Sequence, residues 1–195
     1  MRVDHVIYAC ADLDAAAARV EAELGVAAVG GGRHEGLGTH NRIVPLGGGY
    51  LELLAVAEPV EAARSALGAA VRARIAAGGD GLMGWAVAVD AVEPVAARLG
   101  TAISTIARRG LSARLTGVDE AMRERFLPFF IARDRGVADP DAGGDAGGIT
   151  WLEVAGDAAR LAQWLGGTEL PVRVRVVDGA PGVRAAGIGV REWRP

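Results

Sequence analysis

Three stretches of this chain open in the same way, and that repetition limits the fold more than any other feature. The first reads His5-Val-Ile-Tyr-Ala-Cys-Ala-Asp12 and runs through an alanine-rich segment to Gly25. The second reads Gly84-Trp-Ala-Val-Ala-Val-Asp90 and continues through VEPVAARL to Gly100. The third reads Thr150-Trp-Leu-Glu-Val-Ala-Gly-Asp157 and continues through AARLAQWL to Gly166. Each is a β-rich run, an aspartate, about two to three helical turns and a glycine. An aspartate there accepts from the free amides that open a helix, and a glycine past its end takes the left-handed conformation. Leu13, Ala17, Val20 and Leu24 fall on one face, as an amphipathic helix requires.

Turn chemistry extends the first unit. Val26–Val29, Asn41–Leu46 and Tyr50–Val56 read as strands, separated by GGGRHEGLG and by Gly47-Gly48-Gly49. This predicts a βαβββ module over about residues 3–56, then a connecting helix over 60–77 with Val60, Ala63, Leu67, Ala70 and Val71 on one side. Weaker strands near 103–108, 111–116 and 126–132 complete a second βαβββ module over about 82–132. A strand, a helix and a hairpin near 172–177 and 183–190 form a third unit over about 149–191, after a mobile, solvated loop, DPDAGGDAGG, at 139–148. The expected class is α+β, one domain spanning 1–195, since about 100–200 residues make one domain.

Composition narrows the function. All 21 basic residues are arginine, so Schiff-base and lysine-general-base chemistry are excluded. A net charge of −3, with no basic stripe interleaved with aromatics, gives no support for nucleic-acid binding. No apolar run reaches the ~20 residues of a membrane span, and the opening MRVDHVIYAC lacks a signal core. A cytoplasmic protein is expected, and the alanine- and glycine-rich, lysine-free composition suits a GC-rich bacterial genome. Cys10, the only cysteine, rules out a disulfide scaffold and reads as a small core residue.

The histidines are His5, His34 and His40. Alternation puts Val3, His5, Ile7 and Ala9 on one face of the first strand, with Val6, Tyr8 and Cys10 under the first helix. Glu52 interrupts an apolar strand, and a buried carboxylate needs a partner. If the first and fourth strands are neighbours, His5 and Glu52 either share a metal (zinc, nickel, manganese or iron suit imidazole plus carboxylate) or form a hydrogen-bonded core pair. His40 and Asn41 face opposite sides of their strand, so only one joins Glu52. His40 is the candidate proton carrier or third ligand, and Asn41 a substrate-binding residue. His34, in a glycine-rich loop, reads as solvent-exposed or part of a lid. The Gly30-Gly31-Gly32 run lacks the lysine of a phosphate loop, and 139–148 lacks the closing glutamate of a calcium loop.

VDHVIYACADLDAA, GGRHEGLGTHN and YLELLAV, supported by LPFFI at 127–131 and WLEVAGD at 151–157, resemble the glyoxalase-like branch of the vicinal oxygen chelate superfamily. The resemblance implies paired βαβββ modules curled into a mixed β-sheet cup with helices outside and metal ligands from both modules. His5 and Glu52 match the first module's ligand positions. Gly84 and Ala132 stand at the second module's, where histidine or glutamine and glutamate would be expected, so glyoxalase I activity is not expected. His40 or Glu153 would have to replace the lost groups.

Two functions follow from the resemblance. One is a metal-dependent isomerase, lyase or dioxygenase whose small oxygenated substrate chelates an ion held by His5 and Glu52, with His40 moving a proton. The other is a metal-free binding or sequestering cup that grips its ligand through Trp85, Trp151, Phe130 and Arg42, with His5–Glu52 a structural pair. A homodimer sharing strands between subunits is the expected assembly.

Overall fold

The computed structural model describes residues 1–108, 111–134, 136–137 and 139–195. Strand β1 (Arg2–Ala9) leads into α1 (Leu13–Leu24), β2 (Val29–His34), β3 (Thr39–Pro45) and β4 (Tyr50–Val56). After α2 (Pro59–Ala62) and α3 (Ala66–Gly78) come β5 (Gly81–Ala88), α4 (Glu93–Leu99), β6 (Ile103–Arg108), β7 (Leu111–Thr116), α5 (Val118–Arg123) and β8 (Phe129–Arg133). The remainder holds β9 (Ile149–Ala155), α6 (Ala158–Trp164), β10 (Arg173–Val177), β11 (Gly182–Ile188) and β12 (Arg191–Trp193). Among the described residues no helix is long and apolar enough to cross a membrane.

The sheet order is β2-β3-β4-β1-β5-β8-β7-β6, two four-stranded modules joined edge to edge through antiparallel β1 and β5. Within each module the first and last strands pair in parallel, β1 with β4 and β5 with β8. A parallel pair needs a crossover between its members, here an α-helix and a hairpin. The result is a curled mixed sheet of the α+β class, with a second, four-stranded sheet in the order β10-β9-β11-β12.

Asp12 starts α1 by accepting from the Asp14 and Ala15 amides at 2.8 and 3.0 Å, and Gly25 ends it at φ 74°. Asp157 caps α6 in the same way, accepting from the Arg160 amide. Asp90 does not repeat the role: α4 starts from Val92 without a side-chain cap. The single connecting helix expected over 60–77 is broken in two, because Ser65 caps a new helix, accepting from the Gly68 amide and donating to the Leu37 carbonyl.

Side-chain alternation gives the sheet two apolar faces. The outer one packs Val6, Tyr8 and Cys10 against Val20 of α1 and, further along, Trp85 and Phe130 against Leu152 and Trp164 of the third unit. On the inner face Ile7, Ala9 and Leu54 meet α3 and α5 through Val71 and Met122. Val3 departs from the expected alternation and joins the outer core. The third unit thus lies outside the cup rather than closing it.

The 139–148 loop also departs from its reading as mobile and solvated. The Gly148 amide donates to the Leu46 carbonyl at 2.8 Å, and Asp141 accepts from the Gly49 amide at 2.8 Å. A Cβ on Gly144 would lie 2.4 Å from the Gly47 nitrogen, so only glycine permits this contact. Cys10 is buried, and burial pushes its thiol up to about 12. Iodoacetamide at pH 8 should label it at least about a hundredfold more slowly in the native protein than in urea; comparable rates would place the thiol at the surface.

Candidate functional site

The site starts from an irregularity in β1. Against β5, Val3 pairs with Val87 and His5 with Ala86, leaving Asp4 as the extra residue of a bulge. A bulge re-aims side chains, and here it lets two neighbours in sequence meet. The His5 Nδ1–H donates to Asp4 Oδ2 at 2.7 Å. Arg133, at the end of β8, clamps the same carboxylate with Nη1 to Oδ1 at 2.6 Å and Nη2 to Oδ2 at 2.7 Å. Asp4 is wholly buried. Burial alone would raise its pKa, but the hydrogen bonds from Arg133 and His5 and the charge of Arg133 outweigh it and hold the carboxyl well below its usual range. The Tyr50 ring stacks on His5 at 4.7 Å, the Phe129 ring meets it edge-on at 5.4 Å, and the Tyr50 hydroxyl accepts from Arg133 at 3.1 Å. The imidazole is fixed in tilt and position.

Its other nitrogen is the exception. His5 Nε2 is buried and has no hydrogen-bond partner. It faces Glu52 Oε2 at 3.5 Å. Parallel pairing of β1 with β4 sets Glu52 beside Ile7, which brings it within reach of His5. Asn41 on β3 donates from Nδ2 to Glu52 Oε1 at 2.5 Å while its Oδ1 accepts from the Gly32 amide at 3.1 Å. Gly31 permits this, since a Cβ there would sit 1.8 Å from the Asn41 carbonyl oxygen. The His34 Nε2 lies 3.7 Å from Glu52 Oε1, and its Nδ1 shares a hydrogen bond with Thr39 at 2.9 Å.

These groups form one end of a cavity of about 490 Å³, whose lining includes His5, His34, Asn41, Tyr50, Glu52 and Arg133. The rest of the wall is mostly apolar and comes from the second module and from the segment around α3. Phe129 stands beside Ala86 as Glu52 stands beside Ile7, so an aromatic ring takes the register of a carboxylate. At Gly84 an added Cβ would meet Met122 Cε at 3.5 Å, and Ala132 does not line the cavity, whereas Phe129, Ile131 and Arg133 do. Among the described residues no group of three or more His, Cys, Asp or Glu is placed to hold a metal. The fit for an ion therefore rests on two donors, the His5 Nε2 lone pair and the Glu52 carboxylate. An unsatisfied buried nitrogen opposite a carboxylate is a donor set that a divalent cation fits.

Several expected site residues lie elsewhere. His40 and Arg42 share a strand face opposite to Asn41 and line a groove with Asp12 and Asp14, where Arg42 is ion-paired to Asp14. Burial, then the charge of Arg33, lowers the His40 pKa, but the ring does not reach the cavity. Trp85 is fully buried in the outer core and donates to the Phe126 carbonyl, and Phe130 packs against Trp164. Trp151 lies in the second sheet under the Arg175 guanidinium. Glu153 pairs with Arg175 and Arg194 there, so it replaces no missing ligand. His34 is buried rather than exposed. Asn41, His5 and Glu52 do converge. Asp4, Arg133 and Tyr50 were not expected; the one available signal was an aspartate directly before the strand histidine.

A family model described as the glyoxalase-like domain matches residues 3–169. No curated protein matches the chain. Among solved structures it is similar to a hypothetical protein from Staphylococcus aureus, at 16% identity and TM-score 0.70 over 93% of this chain and 87% of that one. It is also similar to methylmalonyl-CoA epimerase from Mycobacterium tuberculosis, at 17% identity and TM-score 0.50 over 68% of this chain and 86% of that one. A variant of Streptomyces coelicolor methylmalonyl-CoA epimerase in complex with 2-nitronate-propionyl-CoA matches at 22% identity and TM-score 0.50, over 68% of this chain and 96% of that one. At such identities the likeness is one of fold.

Proposed function

The chain belongs to the glyoxalase-like domain family, and we propose that it is a divalent-metal-dependent enzyme of isomerase, lyase or dioxygenase type acting on a small oxygenated molecule. The observation that carries this reading is the buried, unpartnered Nε2 of His5 facing the Glu52 carboxylate at 3.5 Å. A core pair built only for stability would close that gap with a hydrogen bond, because an unsatisfied buried polar atom costs about 1–3 kcal/mol.

His5 and Glu52 would hold the ion, and zinc, nickel, manganese and iron all suit this donor pair. When bound, such an ion supplies Lewis acidity toward substrate oxygens and stabilises an enolate or oxyanion. Asp4 can only accept while ionised, so it keeps the His5 proton on Nδ1 and leaves the Nε2 lone pair facing the cavity. Asn41 turns Glu52 toward His5, and Tyr50 and Phe129 shield the ring from water. His40 lies on the wrong strand face to move a proton, and we assign that task to His34, whose Nε2 approaches Glu52.

Metal analysis of untagged protein by inductively coupled plasma mass spectrometry tests the reading. Close to one equivalent of a transition metal per chain is expected, removable by chelator. Protein that is empty as purified and refuses added zinc, nickel, manganese and iron would overturn it, leaving a metal-free binding cup as the function.

A further inference from the structure

The cavity is chemically two-sided: one end is polar, and the buried part of the second-module wall is apolar apart from Arg133. Its polar end carries His5, His34, Asn41 and Glu52 with Arg133 behind Asp4, whereas the second module lines the remainder with Ile106, Ala113, Leu115, Val118, Phe129 and Ile131, and its polar Ser104, Thr105 and Asp119 are exposed at the rim. In a cup built from paired modules this is an asymmetry of chemistry within a symmetry of fold. Burying a small polar molecule against the second module would strip its water without replacing the hydrogen bonds, which is unfavourable. An apolar group placed there gains roughly in proportion to the area it buries.

Charge narrows the ligand further. The acids lining the cavity are Glu35, Glu52 and Asp119, and the cations besides histidine are Arg64 and Arg133, among the described residues. Both terminal nitrogens of Arg133 are already committed to Asp4. Arg64 is exposed and shares the mouth with exposed Glu35 and Asp119. Among the described residues no free guanidinium fork remains inside to receive a phosphate.

We propose that the substrate is amphipathic: an oxygen-bearing head meets His5 and Glu52, and an uncharged branched or aromatic body fills the second-module wall. This rests on the first module being the head-binding end, as in the reading above. The missing second pair of ligands is then a gain of binding surface, because Phe129 and Ile131 occupy the strand that would otherwise present a carboxylate.

Acetohydroxamate and benzohydroxamate test this directly, since they share a two-oxygen head and differ in body. With metal-loaded protein, benzohydroxamate should bind at least about tenfold more tightly in calorimetry. In methyl-labelled protein it should shift the Ile106, Ile131 and Leu115 resonances, and acetohydroxamate should not. Ile106→Glu and Val118→Glu, both at half-buried positions on different elements, should each reduce the preference to about twofold or less without changing metal content. Equal affinities with unshifted methyls would overturn the amphipathic substrate while leaving metal stoichiometry intact. If the protein proves metal-free, methyl shifts with benzohydroxamate alone would still uphold the apolar end, and their absence would overturn it.

Discussion

Replacing Arg133 by methionine is expected to lower the unfolding free energy by about 3–5 kcal/mol, the range for breaking one side of a buried ion pair. The guanidinium is almost fully covered, at 12% side-chain exposure, and Asp4 is at 0%. Removing it strands a carboxylate whose low pKa depends on those two hydrogen bonds. For a chain with about 5–15 kcal/mol of total stability, such a loss approaches the margin of folding. The penalty belongs to the orphaned charge rather than to lost packing. Adding Asp4→Leu to Arg133→Met should therefore recover part of the stability, as hydrophobic replacement of a buried pair often does, less the cost of leaving the His5 Nδ1–H without its acceptor. Urea titration of the single and double variants separates the terms. A single variant within 1 kcal/mol of the parent would show that Asp4 finds another partner or water. A double variant no more stable than the single would place the cost in packing around Tyr50 instead.

That pair also marks the limit of what the sequence discloses. The strand–helix–glycine starts are legible because alternation and the caps at Asp12 and Asp157 are local, although Asp90 caps no helix, and so is the proximity of His5 to Glu52, which needs only β1 and β4 to be neighbours. Period-2 alternation separates His40 from Asn41 but cannot say which face lines a cavity, and the structure turns Asn41, not His40, toward it. The same ambiguity holds for the aromatics: Trp85 and Phe130 face the outer core, and the inward ring is Phe129, one residue from Phe130. Trp151 lies away from the cavity because the third strand–helix unit, similar to the other two in sequence, packs on the outer face. Arg133 and Asp4 are 129 positions apart. A bulge brings Asp4 to His5, and bulges leave almost no local signature.

Glu52→Gln should abolish metal binding while leaving the protein as stable as the parent, or more stable by up to about 1 kcal/mol. Asn41 Nδ2 can donate only to an oxygen, so the new amide must present its oxygen at the Oε1 position. Its NH₂ then occupies the Oε2 position, 3.5 Å from His5 Nε2 in the parent, and a small rotation closes a hydrogen bond to that nitrogen. The buried atom that has no partner in the parent gains one, and the carboxylate that would charge-balance an ion is gone. Stability and metal affinity would move in opposite directions, as expected where a site keeps groups unsatisfied for a ligand. Thermal unfolding of the metal-free forms, with metal analysis of the same samples, checks both halves. A variant that unfolds well below the parent would mean that Glu52 holds the core together, and one that retains a full equivalent of metal would mean that the ion sits elsewhere. Only loss of the ion with the fold intact matches a carboxylate kept in an apolar strand for its ligand.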